Sequence, residues 1–280
     1  NRAQAGTSLA SQPGKVVKTY EAELLAWLSD KDNGLGFSGT ADEALARLDA
    51  AEGLGIGVAA AGSMPLALPA EMHVTGTQRY RRMLADYQML AREQLICGTQ
   101  VHVDLPDRDE AVQVAHRVAP HMPVLLALSA SSPFRSDGAD TGYASARTLL
   151  WLRWPSTGPA APVSSAAEYG ALIDDLVASG VISDPGMAYF DVRPSVKLPT
   201  LELRVCDSCP RLDTVVLVAA LFRALVEREV EGLRAGGEGG GRRGTEGAPR
   251  RPRWAGGRAV PSHAGGVRLL VGVVAGAHHR

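Results

Sequence analysis

The sequence predicts an α+β fold: an antiparallel sheet with helices on one face. Three observations predict it. The segments CGTQVHVDL, MAYFDVRPS and LPTLELRVCD alternate apolar and polar residues at the period of a strand. Longer segments around them carry apolar residues at i, i+3, i+4 and i+7, the spacing of an amphipathic helix. Strands with one apolar and one polar side belong to antiparallel sheets, whereas parallel strands, buried on both faces, are apolar throughout.

Residues 1–18 are Ser, Gly, Gln and Lys without periodicity and read as a flexible start. TYEAELLAWLSD follows as a short helix with Leu24, Leu25 and Leu28 on one face, and ADEALARLDAAE (41–52) as a second. Residues 76–95 form a clearer amphipathic helix, with Tyr80, Met83, Leu84, Tyr87, Leu90 and Ala91 in register. In the strand that comes next, Gln100, His102 and Asp104 share one face and Val101, Val103 and Leu105 the other. A helix over 109–119 and the apolar segment PVLLALSA lead into a loop-rich stretch punctuated by Pro, Gly, Ser and Asp. Ser165 and Glu168 have capping-box spacing, and Gly180 suits the end of that helix. After the two remaining strands, Asp213 is placed to cap a final apolar helix, TVVLVAALFRALVERE.

The domain expected from this pattern spans 19–232, and the segment 233–280 differs in kind. From Leu233 to Arg280 there are nine Arg, no Lys, two Glu and thirteen Gly, a local charge of +7 in a chain of net charge −1. Such a composition fits disorder, or a GC-rich gene read out of frame. An Arg/Gly segment can also bind single-stranded RNA, but aromatic interleaving is wanted there and only Trp254 is present, so a nucleic-acid partner is not expected.

Hydrophobic content of 45% with 21% charged residues is that of a soluble globular protein. Three cysteines do not make a disulfide scaffold, and together with a start that lacks signal-peptide character they predict a reducing, cytoplasmic setting. The weakly polar runs 54–70 and 267–277 are too short or too broken by Gly and Pro to span a bilayer, so no membrane partner is expected. A homo-oligomer is left open.

The chemistry lies in the polar faces. Glu202 and Arg204 point the same way, as do Asp191 and Arg193, and Gln100, His102 and Asp104. Such a face is either a solvated ion-pair surface, worth only ~0–1 kcal/mol per pair, or the lining of a pocket. Arg suits bidentate binding of carboxylate or phosphate, and Glu with His is an oxygen/nitrogen set for Mg²⁺ or Mn²⁺. Cys206-Asp-Ser-Cys209 is a CxxC without the helix-start context of a redox centre or the second ligand pair of a zinc site. Neither GxGxxG nor GxxxxGK[ST] occurs, so a bound nucleotide would need another device.

CGTQVHVDLPDRDEAV, LLALSASSPF, DTGYASAR, RWPSTGP, FDVRPS and LPTLELRVCD, in this order, resemble the carboxylate–amine ligases of glutamate–cysteine ligase family 2 over roughly Gly53 to Glu229. The resemblance implies a glutamine-synthetase-like antiparallel sheet whose concave face holds ATP and Mg²⁺ (or Mn²⁺). It implies ATP-dependent activation of glutamate's γ-carboxylate as an acyl phosphate, attacked by the amine of cysteine or another amine. Carried onto this chain, it makes Glu202 and His102 metal ligands and sets His102, Gln100 and Arg193 at the nucleotide. Arg204, Arg193 and Arg147 become the groups that neutralise phosphoryl or carboxylate charge.

Two departures accompany it. The family's HVHV strand reads Gln100-Val101-His102-Val103 here, an amide in place of one imidazole. The family's Glu-rich opening strand has no match in residues 1–52. The expectation is therefore an incomplete ligase domain, a fragment or a chain with altered ends, either active or reduced to binding a nucleotide or partner without turnover.

Overall fold

The computed structural model describes residues 57–64, 78–237, 267–271 and 274–276. The flexible start at 1–18, the helices expected at 19–30 and 41–52, and the tail from 238 to 266 lie outside them. In chain order the described elements are β1 (Gly57–Ala59), α1 (Gln78–Tyr87), α2 (Met89–Arg92), β2 (Thr99–Asp104), α3 (Arg108–Val118) and α4 (Met122–Ser129). There follow α5 (Ala146–Trp151), α6 (Ala166–Ala178), β3 (Val192–Pro194), β4 (Thr200–Leu203), α7 (Leu212–Gly237), β5 (Val267–Val271) and β6 (Val274–Gly276).

The three alternating segments pair as predicted. Their order is β3-β4-β2-β5, every pairing antiparallel, and β1 with β6 makes a separate two-stranded ribbon. The apolar side of the sheet, Val101, Val103, Val192, Leu201 and Leu203, packs into one core with α3, α4 and α7. Phe222, fully buried at its centre, is the kind of side chain whose burial contributes about 1.5–3 kcal/mol. A second cluster, built on Trp154, Tyr169, Ile173, Ile182, Met187 and Phe190, joins α6 to the loops before β3. Met83, Tyr87 and Ala91 of α1 and α2 pack against it.

Caps decide most boundaries. Asp107 accepts from the backbone N–H groups of Asp109 and Glu110 and opens α3. Ser165 opens α6 by accepting from Glu168 N at 3.2 Å. The reciprocal half of the box is shifted by one residue, since Glu168 accepts from Ser164 N at 2.7 Å. The helix ends at Ser179, and Gly180 takes the left-handed backbone (φ 74°) that suits glycine there.

Two expectations change. The helix expected over 76–95 is two, broken at Gln88, whose φ of 47° takes the chain out of helical geometry. Its side-chain amide donates to Ala85 O across the break. The apolar segment PVLLALSA, unassigned above, is helical through Ser129. Asp213 is not the cap of α7 but lies inside its first turn, where Arg211 donates to its carboxylate at 2.6 Å. In addition, α7 runs unbroken through the expected boundary at 233, and two stretches of backbone in the Gly/Arg-rich segment pair as β5 and β6.

Candidate functional site

Register brings the polar residues together. Glu202 in β4 lies directly opposite His102 in β2 and opposite Arg193 in β3, so one row crosses three strands as Arg193–Glu202–His102. Gln100 and Arg204, two residues along their strands, share that face. The face is not solvated: Glu202 is 3% exposed, His102 3%, Arg193 6% and Arg204 9%. Both sides of this sheet are buried, one by the helices and the other around these charges.

Glu202 is the hub. Arg193 Nε donates to Oε2 at 3.0 Å and Arg204 Nη1 donates to Oε1. His102 Nε2 lies 3.8 Å from Oε1, while its Nδ1 is 2.9 Å from Thr200 Oγ1. The charges beside Gln100 assign the orientation of its amide: with the nitrogen turned toward Glu202 it donates to Oε1 at 3.2 Å, and the oxygen then accepts from Arg204 at 3.1 Å. Burial alone would raise the Glu202 carboxyl, but the guanidiniums of Arg204 and Arg193, with His102, outweigh it and hold the group below the usual carboxylate range. Arg204 is pulled the other way, downward by burial, with Glu202 opposing. Its guanidinium sits 5.5 Å from the Tyr189 ring centroid and 5.7 Å from that of Trp151, two rings that pack at 4.8 Å.

Two guanidiniums against one carboxylate leave net positive charge, which favours an anion and opposes a further cation. Among the described residues no three of His, Cys, Asp and Glu gather as a metal-holding group. Glu202 and His102 are adjacent, yet both Glu202 oxygens accept from arginine. The described residues therefore do not by themselves make a divalent-metal site.

Arg147 is brought to a different place. Its Nη1 donates to Val205 O at 2.9 Å and its Nη2 to Arg204 O at 3.2 Å, with Nη1 3.7 Å from Asp207 Oδ1. It faces the backbone of β4's C-terminal extension rather than the Glu202 carboxylate. Asp207, fully buried, is the residue that sequence reasoning missed. It accepts from Ser131 N (3.0 Å), Ser132 Oγ (2.7 Å) and Ser145 Oγ (2.8 Å). The signal available was the pair of serine-bearing segments SSPF and YASAR flanking the loop that closes on it. Inside the CxxC, Cys206 and Cys209 are free, buried thiols that burial pushes up to about 12 and about 11, the opposite of a reactive centre.

The motif-bearing strands thus form one antiparallel sheet with a buried Glu–Arg–Arg–His cluster on its polar face. Residues 38–255 match the model of glutamate–cysteine ligase family 2 (GCS2), and the chain belongs to that family. It is 96% identical over 192 residues to a Rhodococcus jostii protein named "Putative glutamate--cysteine ligase 2-3", covering 69% of this chain and 24% of that one. A Mycolicibacterium smegmatis "Putative glutamate--cysteine ligase 2-2" is 71% identical over 189 residues, 68% of this chain and 48% of its own length. A Frankia alni "Putative glutamate--cysteine ligase 2-3" is 58% identical over 190 residues, 68% of this chain and 22% of its own length. The chain thus spans between about a fifth and a half of these relatives. Among the described residues no helix is long and apolar enough to cross a membrane.

Proposed function

We propose that this chain carries the phosphoryl-binding part of an ATP-dependent glutamate–cysteine ligase, working in the cytoplasm on glutamate and cysteine or a related amine. One observation carries the proposal: a family-2 chain gathers Gln100, His102, Arg193, Glu202 and Arg204 on one sheet face with positive charge in excess. In the proposed reaction a γ-carboxylate oxygen of glutamate attacks the γ-phosphorus of ATP and ADP leaves. The amine nitrogen then attacks the acyl carbon, and phosphate departs with one oxygen that began on glutamate. Arg193 and Arg204 offset the charge that builds on the transferring phosphoryl group, and Glu202 keeps both guanidiniums in place until the anion arrives. His102 and Gln100 add polar contacts at the nucleotide. Mg²⁺ or Mn²⁺ enters the proposal as the counter-ion the nucleotide brings. The test uses glutamate labelled with ¹⁸O in the γ-carboxylate: one label per phosphate released supports the acyl phosphate, and unlabelled phosphate rejects it.

A second reading is favoured by the closure of the Glu202 cluster, both of whose carboxylate oxygens already accept from arginine. In it the chain binds a nucleotide without turnover. Calorimetry with ATP, run beside the phosphate assay, separates the two: saturable heat without phosphate release selects the second.

A further inference from the structure

We infer that Arg147 and Asp207 are positioning residues that hold Arg204 against Glu202, and that Arg147 does not itself meet the substrate. The Arg147 guanidinium straddles two successive carbonyls, Arg204 O and Val205 O, at the point where β4 ends. On the other side Arg204 N donates to Asp191 O at 2.8 Å. The peptide on each side of Arg204 is therefore tied, and its side chain is aimed before any ligand binds.

Arg147 is in turn held by Asp207, which gathers Ser131, Ser132 and Ser145 from the loop that leads into α5. Ser132 Oγ also accepts from Arg147 N at 3.2 Å, so the loop fixes both ends of the residue. Both Nη groups of Arg147 are thereby committed to backbone carbonyls. Arg147 is 4% exposed, and a Cβ added at Gly98 would collide with its Nη2 and lie 2.9 Å from Cys206 O, so a side chain there would displace the guanidinium. Trp151 transmits the same arrangement, since its ring lies 5.7 Å from the Arg147 guanidinium and 5.7 Å from that of Arg204. Burial also lowers the Arg147 pKa, with Asp207 opposing, as expected of a cation kept from water by one partner.

The first arm of the test does not depend on the ligase reading. In the full chain with ¹⁵N-arginine, solvent exchange of the Arg204 Nε–H is compared with that of Arg193, whose Nε is bonded to Glu202. Arg147→Lys and Asp207→Asn should each speed Arg204 exchange about tenfold or more and leave Arg193 within about twofold. Equal acceleration of both, or of neither, overturns the proposal. If Arg147→Lys does not fold, Asp207→Asn decides; if neither folds, the pair is a folding element and the proposal fails. The second arm rests on the proposed function: ATP affinity by calorimetry for Arg147→Lys, Arg204→Lys and the double variant. The double variant should bind no more weakly than Arg204→Lys alone, whereas additive losses would mean that Arg147 touches the nucleotide and would overturn the inference. A wild-type chain that binds no ATP refutes the ligase reading and leaves the exchange arm to judge the positioning role.

Discussion

Replacing Glu202 by Gln removes one negative charge and leaves Arg193 and Arg204 buried on the same face. The Arg193 and Arg204 side chains are 7% and 10% exposed, so water has little access to take over from the lost carboxylate. The carboxamide offers one acceptor oxygen where two were used, and its NH₂ must face an arginine donor. Breaking a buried pair by removing one partner costs about 3–5 kcal/mol. At a urea slope of roughly 1–3 kcal/mol per molar, the midpoint should fall by about 1–5 M. The pH dependence gives the sign. The folded-state Glu202 carboxyl lies below its unfolded value, so its contribution is complete above the unfolded pKa and is lost as pH falls through the folded one. Wild type and variant should therefore differ most near neutrality and converge in acid. A loss under about 1 kcal/mol at pH 7, the size of an exposed pair, would refute a buried charge cluster on this face.

Other outcomes follow from the same geometry. Gly98→Ala should cost about 1–3 kcal/mol by thermal unfolding, because the new methyl meets the Arg147 guanidinium and Cys206 O. Cys206 and Cys209, with thiols at about 12 and about 11, should resist a disulfide reagent at pH 8 in the native chain and react once urea unfolds it. Ser165→Ala should cost about 1 kcal/mol by removing the α6 cap. Gly180→Ala should cost about 1–2 kcal/mol because its backbone is left-handed, and both are read from chemical unfolding midpoints.

How far these features were legible depends on their range along the chain. Period-2 alternation placed Gln100 with His102 and Glu202 with Arg204, since a strand's faces follow from local geometry. Which strands become neighbours is a long-range matter, and the meeting of Arg193, Glu202 and His102 in one row came from the order of motifs, not from alternation. Alternation also left open whether the polar face is wet; burial of Glu202 resolves that, and nothing local to TLELR encodes it. The contacts of Arg147 are hidden from the sequence for the same reason. Its partners, Arg204 O and Val205 O, are backbone atoms nearly sixty residues away, and backbone acceptors leave no mark in a sequence. Asp207 reads locally as the spacer of a CxxC, because the serines that donate to it lie 62 to 76 residues away. The break at Gln88 interrupts an apolar stripe that continues on both sides, so periodicity could not reveal it. In the Gly/Arg-rich segment the apolar run 267–277 is visible, but the pairing of β5 with β2 joins residues more than 160 apart and leaves no local mark.

The central claim, that the face around Glu202 serves γ-glutamyl ligation, is tested most directly by product formation. The wild-type chain and its Glu202→Ala variant are incubated with ATP, Mg²⁺, glutamate and cysteine, and γ-glutamylcysteine is measured against ADP. The account predicts dipeptide and ADP in equal amounts from the wild type and none above background from the variant. Absence of dipeptide from both, or equal yields from both, would contradict it.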